Sequence, residues 1–353
     1  MTDQNPASAI EPATPFDHRK ARRTVFVLAS AQALSMTGAS IVMLVTALAG
    51  VYLAPDPRLA TLPLAVQFVA TMLTTFPAAL WMKRAGRRIG FSFGQVIGIG
   101  GGLIGCYALL QGSFTLLILS AVFLGAHNAF WGYYRFAAAE AAAPDKRAKA
   151  ISLVMAGGIF SAVLGPELAM ATRELFSPVL FAGCYAAIAA LSAFTICLIQ
   201  TAALTKPIPA PISETTVERP LPEIVRQPKF IVAAISAMVG YGVMILVMSA
   251  TPLSMVDCGF AFEDAAFVIQ WHALAMFGPS FFTGTLIKKF GALRIILAGV
   301  VLNVLSMTSN LAGVELINFW FGLVALGLGW NFMFIGGTAL LTESYRQSEQ
   351  EKA

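Results

Sequence analysis

Charge is what this sequence has least of. Acidic and basic residues make up 12% of its 353 residues, against roughly 25% in an ordinary soluble domain. That is too little to wet the surfaces of the two or three soluble domains the length would otherwise suggest. Disordered and collagen-like chains are excluded as well, because 58% of the residues are hydrophobic. Histidine is scarce, and His18, His127 and His272 are too scattered for a metal centre or a catalytic triad. The four cysteines, Cys106, Cys184, Cys197 and Cys258, form no CxxC pair and no cluster with histidine. They read as small buried hydrophobes rather than a metal site or disulfide framework. No GxxxxGK[ST] phosphate loop exists for ATP. GGGLIG over 100–105 fits G-x-G-x-x-G in letters only: it lies inside an apolar run, and no acid occurs between 120 and 130. The expectation is no enzyme, no cofactor, no metal and no nucleic-acid partner. The net charge of +5 marks loops instead.

What the sequence has is long apolar runs. A helix needs about 20 apolar residues to cross a bilayer core. Ten runs meet that length, at approximately 24–53, 60–82, 89–110, 114–136, 150–171, 178–202, 230–253, 265–287, 294–312 and 316–342. The chain is expected to be an all-α polytopic membrane protein, with the lipid bilayer as a partner. Residues 1–23 are a polar tail without the apolar stretch of a cleaved signal peptide, so the first span serves as its own insertion signal. Residues 203–229 are rich in proline and charge and read as a linker between a six-helix bundle, 24–202, and a second bundle, 230–353. With these spans, every Lys and Arg except Arg58 and Arg173 falls on one side. The positive-inside rule makes that side, and both termini, cytoplasmic.

The chain also repeats itself. ALWMKRAGRR (79–88) between spans two and three resembles GTLIKKFGAL (284–293) between spans eight and nine, 205 residues later. HNAFWGYYRFAAAEAAAPDKRAKA (127–150) aligns without a gap to WNFMFIGGTALLTESYRQSEQEKA (330–353), at an offset of 203. Asn128 thereby meets Asn331, and Glu140 meets Glu343. Two parallel halves from a duplication are a common transporter plan. Ala353 aligns with Ala150, where span five begins, so spans five and six lack counterparts. The expectation is a twelve-helix protein lacking its last two helices, with a ten-helix transporter as the alternative.

In these features the sequence resembles the major facilitator superfamily of secondary transporters. The residue-level signal is the loop after span two, where Arg84, Gly86, Arg87 and Arg88 match the family's Gly-x-Leu-Ala-Asp-Arg-x-Gly-Arg-Arg pattern. Gly284, Leu286, Lys289 and Gly291 match in the second copy. Lys83 and Lys288 replace the acid in both, which puts the family's charge latch in doubt. Gly157, Gly158, Gly165 and Pro166 resemble the fifth-helix motif of drug/proton antiporters, although the same small residues also serve close packing. The texture of 131–142, 237–255, 267–284 and 327–346 is similar to alphaproteobacterial members that include riboflavin importers. The resemblance implies a secondary transporter of the bacterial inner membrane carrying a small organic solute, riboflavin being preferred. Proton-coupled efflux of drugs or metabolites, or an inactive truncated protein, are the alternatives.

Polar groups inside membrane spans face a cavity or another helix, because lipid does not solvate them. Gln32, Gln67, Asn128, Trp131, Tyr134, Tyr241, Gln270, Trp271, Trp330 and Asn331 are therefore the candidate substrate residues. The aromatics could stack on a flat ring and the amides could bond its edge. Helix–helix glue for the amides and interfacial belting for the aromatics are the competing roles. For proton coupling the candidates are Glu167, a carboxylate within span five, and His127 and His272, because histidine changes charge near neutral pH.

Overall fold

The computed structural model describes residues 17–143, 146–204 and 219–344. These are helical, joined by short turns: α1 (His18–Leu53), α2 (Leu62–Ala85), α3 (Arg87–Leu110), α4 (Phe114–Trp131), α5 (Tyr134–Ala141), α6 (Arg147–Met155), α7 (Gly157–Thr172), α8 (Ala182–Gln200), α9 (Leu221–Val225), α10 (Pro228–Asp257), α11 (Phe262–Phe277), α12 (Ser280–Phe290), α13 (Ala292–Ala312) and α14 (Leu316–Thr342). Among the described residues nine helical runs are long and apolar enough to cross a membrane, and α11 with α12, bent by 44°, makes a tenth. Nine of the ten expected spans are thus present with adjusted ends, and the eighth corresponds to the bent pair α11–α12. The Asp17 carboxylate accepts from the Arg19 and Lys20 amides at 3.0 Å, so the first span starts at His18. The fourth breaks at Gly132–Tyr133 and resumes as α5. The sixth starts later than expected because residues 176–179 form a turn. Of the thiols, Cys106 and Cys184 are buried, but Cys197 and Cys258 are exposed, correcting the expectation that all four are interior. Residues 205–218 of the linker and 345–353 of the second repeat lie outside the described residues.

Alternation of the spans puts the start of α1 and the basic loops α2–α3, α5–α6 and α12–α13 at one end, called here the basic end. At the other end the halves share one core. It contains Ile41 and Leu44 of α1, Tyr185 of α8, Met248 of α10, Ile269 of α11 and Trp330 of α14. At the basic end each half keeps its own core: Leu28, Met82, Phe91, Phe130 and Tyr134 in the first, Ala233, Ile296 and Leu340 in the second. The halves meet where α7 packs on α11 and α1 on α10. Beyond that joint, Arg173 reaches across to Glu263 at 2.8 Å and lies over the Phe262 ring, which also packs on Phe181. The bundle is therefore pinned shut at the far end and divided at the basic end.

The repeat holds in three dimensions. Gly86 and Gly291 make the same tight turn, with φ of 95° and 87°. Gly125 of α4 seats the Gln67 carbonyl of α2, and Gly327 of α14 seats the His272 carbonyl of α11. A side chain at either glycine would wedge its helix pair apart. The acids aligned by the repeat have diverged in partner: Glu140 holds Arg87 of the same half, while Glu343 holds Lys229. The loop's charge latch is thus rebuilt on Glu140 in the first half, where Arg87 also faces the Tyr133 ring. Arg88 donates to the Ala202 carbonyl and Lys289 lies over Phe290. Arg84 is exposed in the last turn of α2.

A side chain at Gly86 must adopt a left-handed conformation, whereas one at Gly284 meets open space. Gly86→Ala is expected to destabilise the detergent-solubilised protein by about 1–3 kcal/mol, read as a lowered Tm. Gly284→Ala should leave Tm unchanged or raise it, since alanine suits a helix interior better.

Candidate substrate site between the two halves

Four aromatic rings meet at mid-depth in the second half. Trp330 and Phe334, one turn apart on α14, stack with centroids 4.9 Å apart and planes at 8°. Tyr241 of α10 meets Trp330 edgewise at 5.8 Å and Phe334 at a tilt at 6.0 Å. Phe277, the last residue of α11, stands edge-on to Trp330 at 6.1 Å. Its ring lies against Gly158 of α7, where an added Cβ would be 2.6 Å away, so the group touches the first half. Tyr241 is 40% exposed and Trp330 only 6%, which leaves the tyrosine face open and the indole packed. The Trp330 Nε1 is nevertheless buried without an acceptor, an unmet donor beside an open ring face.

The first half supplies acceptors. Gln95 of α3 donates to Ser35 Oγ of α1 at 2.9 Å and to the Tyr134 hydroxyl at 2.8 Å. Gln32, Gln67 and Gln95 each keep a buried amide oxygen with no donor. Ser35, Gln67, His127, Asn128 and Ser192 line a small cavity of about 10 Å³, room for one water-sized molecule. Unmet polar atoms thus occur in both halves, a buried indole donor beside the aromatic quartet and buried amide oxygens inside the first half.

Other expected site residues have structural roles. Tyr134 is fully buried, spends its hydroxyl on Gln95 and packs edge-on to Phe91 at 4.6 Å, inside the first half's own core. Asn331 is equally sealed. The Gly278–Pro279 break leaves helical carbonyls without their usual donors. Asn331 Nδ2 answers at the Met276 carbonyl, 2.6 Å, and at Ser280 Oγ, 2.8 Å, while its Oδ1 accepts from Thr283. Its repeat mate Asn128 is only half-buried and accepts from the Trp131 indole at 2.9 Å. Trp271 belongs to a separate group with Phe267 and Trp320 and shares no ring contact with the quartet. Gln270 is half-buried on α11.

Both histidines tie helices together. His127 Nδ1 meets the Gly94 carbonyl at 2.9 Å and His272 Nδ1 the Leu323 carbonyl at 2.8 Å. A carbonyl only accepts, so Nδ1 carries the proton in each ring. Glu167 shares an exposed face of α7 with Phe160, Val163 and Leu164 and has no ion pair or hydrogen bond among the described residues. Arg135 of α5, which has no carboxylate partner among the described residues, lies within electrostatic reach of Tyr241 across the halves. Sequence reasoning missed Phe277, Phe334 and Gln95. Phe334 was findable as the i+4 neighbour of Trp330. Gln95 was findable as a polar residue inside span three, whereas Phe277 carried no such signal, since only the fold brings it to Gly158.

Asn331→Ala removes three hydrogen bonds from a helix break and should cost about 1–3 kcal/mol or more, measured as a lowered Tm. Asn128→Ala, which removes one, should lower Tm by less.

The comparisons with known proteins agree with this geometry. The model of the Major Facilitator Superfamily matches residues 28–353. The chain is 39% identical over 339 residues to the riboflavin transporter RfnT of Brucella anthropi, covering 96% of this chain and 85% of that one. It is 30% identical to the uncharacterized MFS-type transporter YdeG of Bacillus subtilis, over 92% of this chain and 78% of the relative. Among solved structures, a bacterial homolog of the human lysosomal transporter Spinster, inward-facing and unoccupied, superposes with a TM-score of 0.65 at 18% identity, over 96% of this chain and 78% of that one. Two parallel halves, the paired glycine turns and a match over nearly the whole chain place this protein in the Major Facilitator Superfamily, as a multi-pass membrane transporter.

Proposed function

We propose that this transporter takes up riboflavin across the bacterial inner membrane. The observation that carries the reading is the aromatic quartet at mid-depth between the halves, Tyr241, Phe277, Trp330 and Phe334. A flavin is a flat tricyclic ring with N–H and C=O groups on one edge and a hydroxylated chain on the other. The open Tyr241 face suits the ring and the Trp330 N–H suits a ring carbonyl. The unmet oxygens of Gln32 and Gln67 suit ring N–H or chain hydroxyls, with Asn128, Trp131 and Gln270 at the margin. The 39% identity to RfnT points the same way. The distribution of Lys and Arg supports cytoplasmic termini. Transport then follows from rocking the halves, 24–202 against 230–353, about the α7–α11 joint. Opening the far side requires Arg173 to release Glu263.

Expression in a riboflavin auxotroph lacking its own importer should restore growth on micromolar vitamin; no growth despite good membrane insertion would defeat the reading. Trp330→Ala should raise the half-saturating riboflavin concentration about tenfold, the worth of an aromatic contact of roughly 1–1.5 kcal/mol. Trp271→Ala should leave it within about twofold, since that ring stands apart from the quartet. We propose Glu167 for proton coupling, a carboxylate within a membrane span that has no ion pair among the described residues. Initial uptake rates in vesicles should vary with pH in the parent and become flat in Glu167→Gln; an unchanged pH profile would remove Glu167 from that role.

A further inference from the structure

A second cavity, of about 650 Å³, opens at the basic end, away from the aromatic quartet. It lies between the start of α1 and the α5–α6 turn, and its lining includes Arg22, Lys146 and Lys149. None of its described lining residues is acidic, and none of these three cations has an ion pair among the described residues. Its walls are apolar: Phe26 is 67% exposed and Leu153 48%, over a floor of Val25 and buried alanines.

The two helices present their residues in the same order. Phe26 follows Arg22 by four positions on α1, and Leu153 follows Lys149 by four on α6. Both helices run away from the basic end, so each places a cation at the rim and an apolar side chain about 6 Å deeper on the same face. Three like charges around one opening repel each other and have no counter-ion among the described residues. A single small anion would meet the rim but leave the apolar walls unfilled.

We infer that this cavity binds a phosphate group carried on an apolar body, with the phosphate at Arg22, Lys146 and Lys149 and the apolar part between Phe26 and Leu153. A phosphate offers three acceptor oxygens to the cations, and basic pockets between membrane helices bind lipid head groups in this way. Two sources share this chemistry: an anionic phospholipid, whose chain enters between the two apolar residues, and a soluble aromatic phosphate ester.

The full chain in lipid nanodiscs distinguishes them. One arm compares phosphatidylglycerol with phosphatidylcholine, counting retained lipid by native mass spectrometry. The other titrates 1-naphthyl phosphate onto protein in phosphatidylcholine discs. Selective retention of phosphatidylglycerol assigns a lipid, and saturable naphthyl phosphate binding assigns a soluble ester. In either case the triple variant R22Q/K146Q/K149Q should weaken the bound species roughly 100-fold. Lys149→Arg, which keeps the charge, should retain binding, and Phe26→Ser with Leu153→Ser should weaken it while leaving the rim intact. If the parent binds neither probe, or the triple variant binds both as the parent does, the inference is overturned.

Discussion

The seat of Phe277 on Gly158 is the contact on which the rest of the molecule turns. A Cβ at Gly158 would lie 2.6 Å from the ring, so only glycine lets α11 approach α7 this closely. Gly157 allows a matching approach of α7 to the α1 backbone, and Gly165 to Ser40. Small residues bring membrane helices together where lipid supplies no hydrophobic drive. That approach lets the far-end core run continuously through both halves, and it sets Phe277 edge-on to Trp330. The glycines of the fifth span are therefore explained by packing at the joint.

The duplication has kept what backbone geometry demands and released what side chains can renegotiate. Gly86 and Gly291 retain the same turn because a left-handed residue between two helices strongly favours glycine. The α2–α4 and α11–α14 crossings retain a glycine against a carbonyl. The acids Glu140 and Glu343 survive with different cations, since an ion pair needs only an opposite charge within reach. Asn128 and Asn331 diverge further: the helix break at Pro279 has drawn Asn331 into repairing the backbone.

Polar groups at membrane depth divide according to whether their partners are found inside the protein. Asn331, Tyr134 and the Nδ1 atoms of both histidines are met and hold helices together. The amide oxygens of Gln32 and Gln67 and the Trp330 indole are unmet. An unmet group in a low-dielectric interior is costly, which is why these positions, together with the open face of Tyr241, are the candidates for a ligand contact.

The membrane spans and the superfamily were legible in the sequence. They depend on run length, charge placement and repeat offset, which are properties of the chain itself. Trp330 and Tyr241 were legible as candidates for the same reason, being aromatic residues at mid-span. Tertiary structure alone decided which candidates are spent inside a half's own core and which keep an open face. Helix rotation buries Tyr134 and Asn331 and turns Trp271 toward Phe267 and Trp320, and no periodicity announces which face of a uniformly apolar helix points inward. Phe277 joins the aromatic quartet only because α7 carries glycine opposite it, a contact between residues 119 positions apart that neither segment encodes by itself.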